Sequence, residues 1–326
     1  MHPVHKPRAA EIFAGAGLFG AVFKDFAFET VYAAEINHRA VKSFNRNVAP
    51  VAEVRDVRIV RTDVRCEILL AGPPCQGFST LGPRDPRDAR NRLSLAVVNW
   101  AMATKARVVV VENVPKFLES SHWQRLRRVM QLHGYECAEW VLSAEAFGAP
   151  QLRTRAFGIF SKIGIPAAPT PTVRAPVTVR EAFKGLAVKP ATSGMHVAPP
   201  PSPIALSRFR HIPPRGDKRD VIRRAPELCP PSWLRMGAAA TDVWGRLDYD
   251  EPSNTLRCDF QNASKGRYVH PTAHRVITLR EGARIQGVPD SWQFEGMRAH
   301  VAEQIGNGVP LPLGRAIAGA MVPLFS

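Results

Sequence analysis

Cysteine is scarce in this chain. The five that occur, Cys66, Cys75, Cys137, Cys229 and Cys258, show no C-x-x-C spacing and join no Cys/His cluster. That excludes a disulfide framework and a zinc site of ordinary spacing, so reduced thiols and no metal are expected. Acidic residues are also few, 28 against 44 Lys plus Arg, which leaves a formal net charge of +16 and a sequence pI near 10.3. Such an excess fits a polyanionic partner, because each phosphate neutralised by Lys or Arg releases a counterion. Within the basic set lysine is the rare one, 10 against 34 arginines, and arginine suits bidentate contacts to phosphate and guanine. No apolar run approaches the roughly 20 residues that span a membrane. The opening "MHPVHKPRAA" lacks a signal-peptide core. A soluble, cytoplasmic protein is expected. There is no internal repeat.

What is present has a clear rhythm. Short apolar runs at 9–13, 29–35, 51–54, 67–72 and 106–113 read as strands, and the segments near 17–27, 37–47, 91–105 and 119–133 read as helices. Strands alternating with helices predict an α/β fold with a doubly wound, mostly parallel sheet covered on both faces. Residues 134–144 and 155–161 read as two further strands, a hairpin at one end of that sheet. Near residue 163 the texture changes to Pro- and Arg-rich sequence without helical period, so about 163–270 reads as a loop-rich module. Regular patterning returns at 275–292, and 303–325 reads as a Gly-rich loop followed by a helix.

Three features carry chemistry. "EIFAGAGLFG" puts Gly15, Gly17 and Gly20 directly after the first strand, where glycine permits a sharp turn and close approach of a ligand. Glu35 ends the second strand, where a carboxylate can take both ribose hydroxyls, and Asp56 closes the third strand region. The triple reads as an adenosine site at the carboxyl ends of parallel strands. The phase is wrong for G-x-G-x-x-G, so a ligand without pyrophosphate, such as S-adenosylmethionine, fits better than NAD. Next, "LAGPPCQGFS" places Cys75 just past a buried strand, with Pro73 and Pro74 before it. A turn there projects a thiol into a cleft, and backbone N–H groups lower its pKa from about 8.5. Finally, "VVVVENV" ends a buried strand on Glu112, whose burial raises its pKa and suits it to general acid work. "QLRTR" adds Gln151 and two fixed cations, Arg153 and Arg155.

Together these stretches resemble the DNA (cytosine-5)-methyltransferases along nearly the whole chain outside 163–270. "FAGAG" looks like the family's cofactor loop, "GPPCQGFS" its nucleophile motif, "ENV" its glutamate motif and "QLRTR" its Q-x-R-x-R motif. "RVITLREGARIQGVPDSW" and "QIGNGVP" look like its two C-terminal motifs. The resemblance implies methyl transfer from S-adenosylmethionine to carbon 5 of a flipped-out cytosine in duplex DNA, through a covalent adduct with Cys75. It implies that Glu112 binds N3 and the exocyclic amine, that Arg155 contacts O2, and that Arg153 supports the site. Phe13, Gly15, Gly17, Glu35, Asp56, Pro74 and Asn307 would line the cofactor pocket. In the stretch after the cysteine, which is similar to a mobile catalytic loop, Gln76, Ser79, Arg84, Arg87, Arg90 and Arg92 would meet DNA. Thr255 and Leu256 resemble a Thr-Leu pair near the target base. The Rossmann-like catalytic part would be 1–162 completed by 303–326. The small domain would be 163–302, with the target-recognition region at about 163–270.

The resemblance further implies a bacterial or phage-encoded, nucleoid-associated monomer, with a cognate restriction endonuclease as a potential partner. Three departures stand out: Glu11 for the family's usual Asp, Leu18 for a second consecutive Gly, and Gly308 for the more usual Ala. Two other readings stay open at this point. One is an RNA methyltransferase of the same family, which reads a folded loop by shape and stacking. The other is a catalytically silent DNA-binding relative, against which the joint presence of Cys75, Glu112 and Arg155 counts.

Overall fold

The computed structural model describes residues 6–74, 93, 95–236 and 242–326. Seven strands form one sheet: β1 Arg8–Ile12, β2 Glu29–Glu35, β3 Ala52–Val54, β4 Ile68–Ala71, β5 Val108–Asn113, β6 Glu136–Ser143 and β7 Thr154–Ser161. Their spatial order is β3-β2-β1-β4-β5-β7-β6. Strands β1 to β5 pair in parallel. β7 inserts antiparallel between β5 and β6, so the expected terminal hairpin is real but its second strand lies inside. Every strand window read from sequence agrees to within two or three residues.

Alternation along each strand divides the core. Ala9, Ala33, Ile68, Leu70, Val108 and Val110 join one apolar layer. Their neighbours Ala10, Ala34, Leu69, Ala71, Val109 and Val111 join the other. Both faces are dry, which is why the central strands read as continuous apolar runs. On the first face pack α1 (Leu18–Ala21), α2 (His38–Asn47), α10 (Arg298–Asn307) and α11 (Leu311–Met321). On the second pack α3 (Ala96–Thr104) and α4 (Ser121–Leu132), through Val97, Trp100, Trp123, Leu126 and Met130.

Two expectations need correction. The helix expected over 17–27 is a four-residue α1 followed by a 3-10 turn, Val22–Phe26. The Gly-rich loop expected from 303 is the end of α10, which holds because Val301, Ala302 and Ile305 are buried against the core and outweigh the low propensity of Gly306.

Between β7 and α10 lie short helices, α5 (Val179–Ala182), α6 (Pro203–Arg210), α7 (Lys218–Arg224), α8 (Pro231–Met236) and α9 (Leu279–Ile285), and no named strand among the described residues. Phe209, Ile212, Val221, Trp244, Ala263, Val269 and Val276 form a small core of their own. Val179, Phe183, Leu256, Phe260 and Tyr268 instead pack into the main core.

Candidate active site

The loops after the parallel strands meet at one edge of the sheet around a cleft of about 1710 Å³. After β1 the chain turns immediately. Phe13 sits in the left-handed region at φ 56°, a conformation that costs a non-glycine residue about 1 kcal/mol or more and tends to mark functional turns. Gly17, at φ 85°, caps α1. A Cβ there would lie 2.6 Å from Val48 Cγ2 and 2.7 Å from Phe44 Cδ2, so glycine is required on two counts.

Glu35, at the end of β2, is held by that turn. Its Oε2 accepts the Gly15 N–H at 2.9 Å and its Oε1 accepts the Asn37 N–H at 2.8 Å. Asn37 in turn caps α2. The carboxylate is thus fixed at the rim with a lone pair left on each oxygen. Asp56, beyond β3, is already engaged: Arg58 donates to its Oδ2 through Nε at 2.9 Å and to its Oδ1 through the backbone N–H at 2.9 Å. Those bonds from Arg58 hold its carboxyl below the usual range.

The reactive end is built from three neighbouring strand tips. β4 leads into Pro73 and Pro74, and Pro74 lines the cleft. Asn113, ending β5, donates from Nδ2 to the Pro73 carbonyl at 3.1 Å, so it anchors the backbone two residues before Cys75. Glu112 beside it pairs with Arg155 of β7, Oε1 to Nε 3.0 Å, each side chain 14% exposed. Burial pushes the Glu112 carboxyl up, and the charges of Arg155 and Arg153 pull partly the other way. Arg153 itself is buried and donates to the carbonyls of Leu256 at 2.8 Å and Gly306 at 2.9 Å. It therefore joins the segment around Leu256 to the end of α10.

A family model for C-5 cytosine-specific DNA methylases matches residues 8–178 and 232–323. The chain belongs to that family. It is 30% identical to the Type II methyltransferase M.XorII of Xanthomonas oryzae pv. oryzae, with 97% of this chain and 85% of that protein covered. It is 27% identical to the Type II methyltransferase M.NgoFVII of Neisseria gonorrhoeae, covering 99% and 88%. Among solved structures, the Entamoeba histolytica methyltransferase EhMeth superposes with TM-score 0.73 at 14% identity, covering 99% of each chain, which shows the shared fold. This is a sequence-specific DNA cytosine-5-methyltransferase, with S-adenosylmethionine as methyl donor.

The cleft of this methyltransferase fits that cofactor. It offers a fixed rim carboxylate at Glu35, a close-approach turn at Gly15, and a buried polar atom, Glu11 Oε2, without a hydrogen-bond partner among the described residues. Gly17, expected in the cofactor pocket, does not line the cleft: its Cα faces Val48 and Phe44, and its part is to make the turn. Phe13, Gly15, Glu35, Asp56, Pro74 and Asn307 line the one cleft together with Glu112, Arg153 and Arg155. Cys75, Gln76, Ser79, Arg84, Arg87, Arg90 and Arg92 lie outside the described residues.

The Thr-Leu pair is split by burial. Thr255 lines the cleft and donates its hydroxyl to the Leu152 carbonyl at 2.6 Å. Leu256 also borders the cleft but is fully buried, with its N–H on Gln151 Oε1 at 2.7 Å and its side chain packed in the core.

The sequence reading missed several participants. Cys258, for which the sequence suggests only a reduced thiol, lines the cleft and bonds Asn307. Only Cys66 of the four described cysteines is fully buried. Gln286 receives the Gln151 amide at 2.8 Å and itself donates to the Ile305 carbonyl at 2.5 Å, beneath the cleft floor. Gln286 lies within the motif-like stretch 275–292, but no local pattern singles out its side chain, and nothing in the sequence around 258 points to Cys258.

Proposed function

We propose that Cys75 is the nucleophile and Glu112 the proton donor in methylation of a cytosine extruded from duplex DNA. In this reading the Cys75 thiolate forms a bond to carbon 6 of the ring, and the displaced electron pair is taken up at N3 by the proton of Glu112. Carbon 5 becomes an enamine carbon, nucleophilic as the reaction requires. S-adenosylmethionine, when bound, supplies an electrophilic methyl group. Loss of the carbon 5 proton to water then breaks the sulfur–carbon 6 bond, restores the 5,6 double bond and frees the Cys75 thiolate, and N3 returns its proton to the Glu112 carboxylate. Arg155 holds Glu112 and is available to the base O2. Glu35, Phe13, Gly15, Asp56 and Asn307 would hold the cofactor.

The observation that supports this most directly is the Glu112 carboxyl. It is buried, shifted toward its protonated form and paired with Arg155 at 3.0 Å, on the strand next to the one that leads to Cys75. Residues 1–162 with 303–326 act in this reading as the catalytic part, and 163–302 reads the target sequence. The family model leaves 179–231 unmatched, as a segment that varies with the target would. The names of the relatives favour service in a Type II restriction-modification pair.

The test is direct. Bisulfite sequencing of DNA from cells expressing the protein should show methylcytosine in one sequence context. Cys75→Ser should abolish it while duplex binding persists. Glu112→Gln, which keeps the shape but has no acidic proton, should lower kcat by about 10²–10⁴-fold. Undiminished turnover by either variant overturns the assignment.

A further inference from the structure

We propose that Cys258 is a positioning residue for the cofactor: its thiol, presented by the recognition segment, holds the Asn307 amide with its NH2 group toward the cleft. The proposal rests on the reading of Asn307 as a cofactor residue.

Cys258 Sγ donates to Asn307 Oδ1 at 3.0 Å, the only hydrogen bond to the Asn307 side chain among the described residues. Both residues line the cleft. With its oxygen occupied, the amide has two N–H groups to offer an acceptor on the cofactor, and the competing flipped orientation is disfavoured. A thiol does this only while protonated. Burial pushes Cys258 up to about 11, so it remains a donor throughout the neutral range.

Neither partner is free to drift. The segment carrying Cys258 is pinned by Thr255 to the Leu152 carbonyl, by Leu256 to Gln151, and by the Arg257 N–H to the Tyr268 hydroxyl at 3.1 Å. The segment carrying Asn307 is pinned by Arg153 to the Gly306 carbonyl. The two backbones touch at Gly306, where a Cβ would lie 2.6 Å from the Arg257 carbonyl carbon and from the Cys258 nitrogen. A bond across such a rigid contact orients a side chain at little entropic cost. It also links the DNA-reading segment to the cofactor pocket, 49 residues further along the chain.

Steady-state kinetics on a short duplex containing the target site test the proposal. Cys258→Ala should raise KM for S-adenosylmethionine about three- to tenfold, as for loss of one neutral hydrogen bond, with kcat within about twofold. Cys258→Ser, which keeps a donor, should restore most of the affinity. Asn307→Ala should raise KM at least as much, and adding Cys258→Ala to it should cost nothing further. Melting of the cofactor-free variants should match the parent. If Asn307→Ala raises KM while Cys258→Ala does not, or if Ser fails to rescue, the positioning role is overturned. If Asn307→Ala itself leaves KM unchanged, the reading of Asn307 fails first and the proposal with it.

Discussion

Two acidic residues on the strands either side of β4 show how burial sets their chemistry. Glu112 and Glu11 both lie out of water at the cleft, and burial pushes both carboxyls up. Glu112 has two guanidinium groups to offset this. Glu11 has the Gly20 N–H alone among the described residues, and the nearby charge of Glu35 pushes it higher still. Its stability contribution has a definite sign. A carboxyl raised in the folded state binds more protons there than in the unfolded chain, so its contribution is complete below the ordinary value of 4.5 and is lost as pH rises. Glu11→Gln, which cannot ionise, should therefore gain in Tm relative to the parent on going from pH 5 to pH 8. A Tm difference that stays constant over that range would show that Glu11 ionises freely.

At the scale of elements, the turn from β1 into α1 and the end of α10 form one unit. Leu18 and Gly308 each depart from the family pattern, and the structure brings them together. A Cβ on Gly308 would overlap Leu18 Cδ1, and Leu18 is only 2% exposed. The larger residue in the first turn is thus accommodated by the smaller one 290 positions later. Gly308→Ala alone should overpack the contact and cost about 1–3 kcal/mol. Leu18→Ala alone should leave a cavity and cost about 2–5 kcal/mol. In the double variant the costs should fall short of their sum by about 0.5–3 kcal/mol. Denaturant unfolding of the four proteins measures this, and simple additivity would mean that the two departures are unrelated.

Across the whole molecule, the region between β7 and α10 is joined to the rest of the fold by buried polar side chains as well as by apolar packing. Gln151, Arg153 and Gln286 bridge the start of β7, the segment at 255–258 and the end of α10. Within the region itself Arg246 plays the same part. It is 2% exposed and donates to the carbonyls of Phe209, Ile212, His270 and Ala273 and to His274 Nδ1. No carboxylate pairs with it among the described residues, and burial brings its pKa down to about 10. One guanidinium gathers loops that have no sheet to hold them. Arg246→Lys keeps the charge but strands several buried carbonyls, each costing about 1–3 kcal/mol. Amide exchange should then accelerate across 209–274 and DNA affinity should fall, while exchange in β1, β4 and β5 stays slow. Uniform loosening of the sheet would contradict so local a role.

The order of strands and helices, and the residues at strand ends, were legible in the sequence because both are local. Buried parallel strands must be continuous apolar runs, and a ligand in such a sheet sits at their carboxyl ends, so Gly15, Glu35, Pro74 and Glu112 could be assigned to one rim before any coordinates. Burial of Leu256, the turn of Arg153 toward Gly306, and the pairings of Leu18 with Gly308 and Cys258 with Asn307 could not. They depend on contacts between residues 49 to 290 positions apart. No period or propensity within one segment encodes what another segment brings against it, and only chain packing in three dimensions decided them.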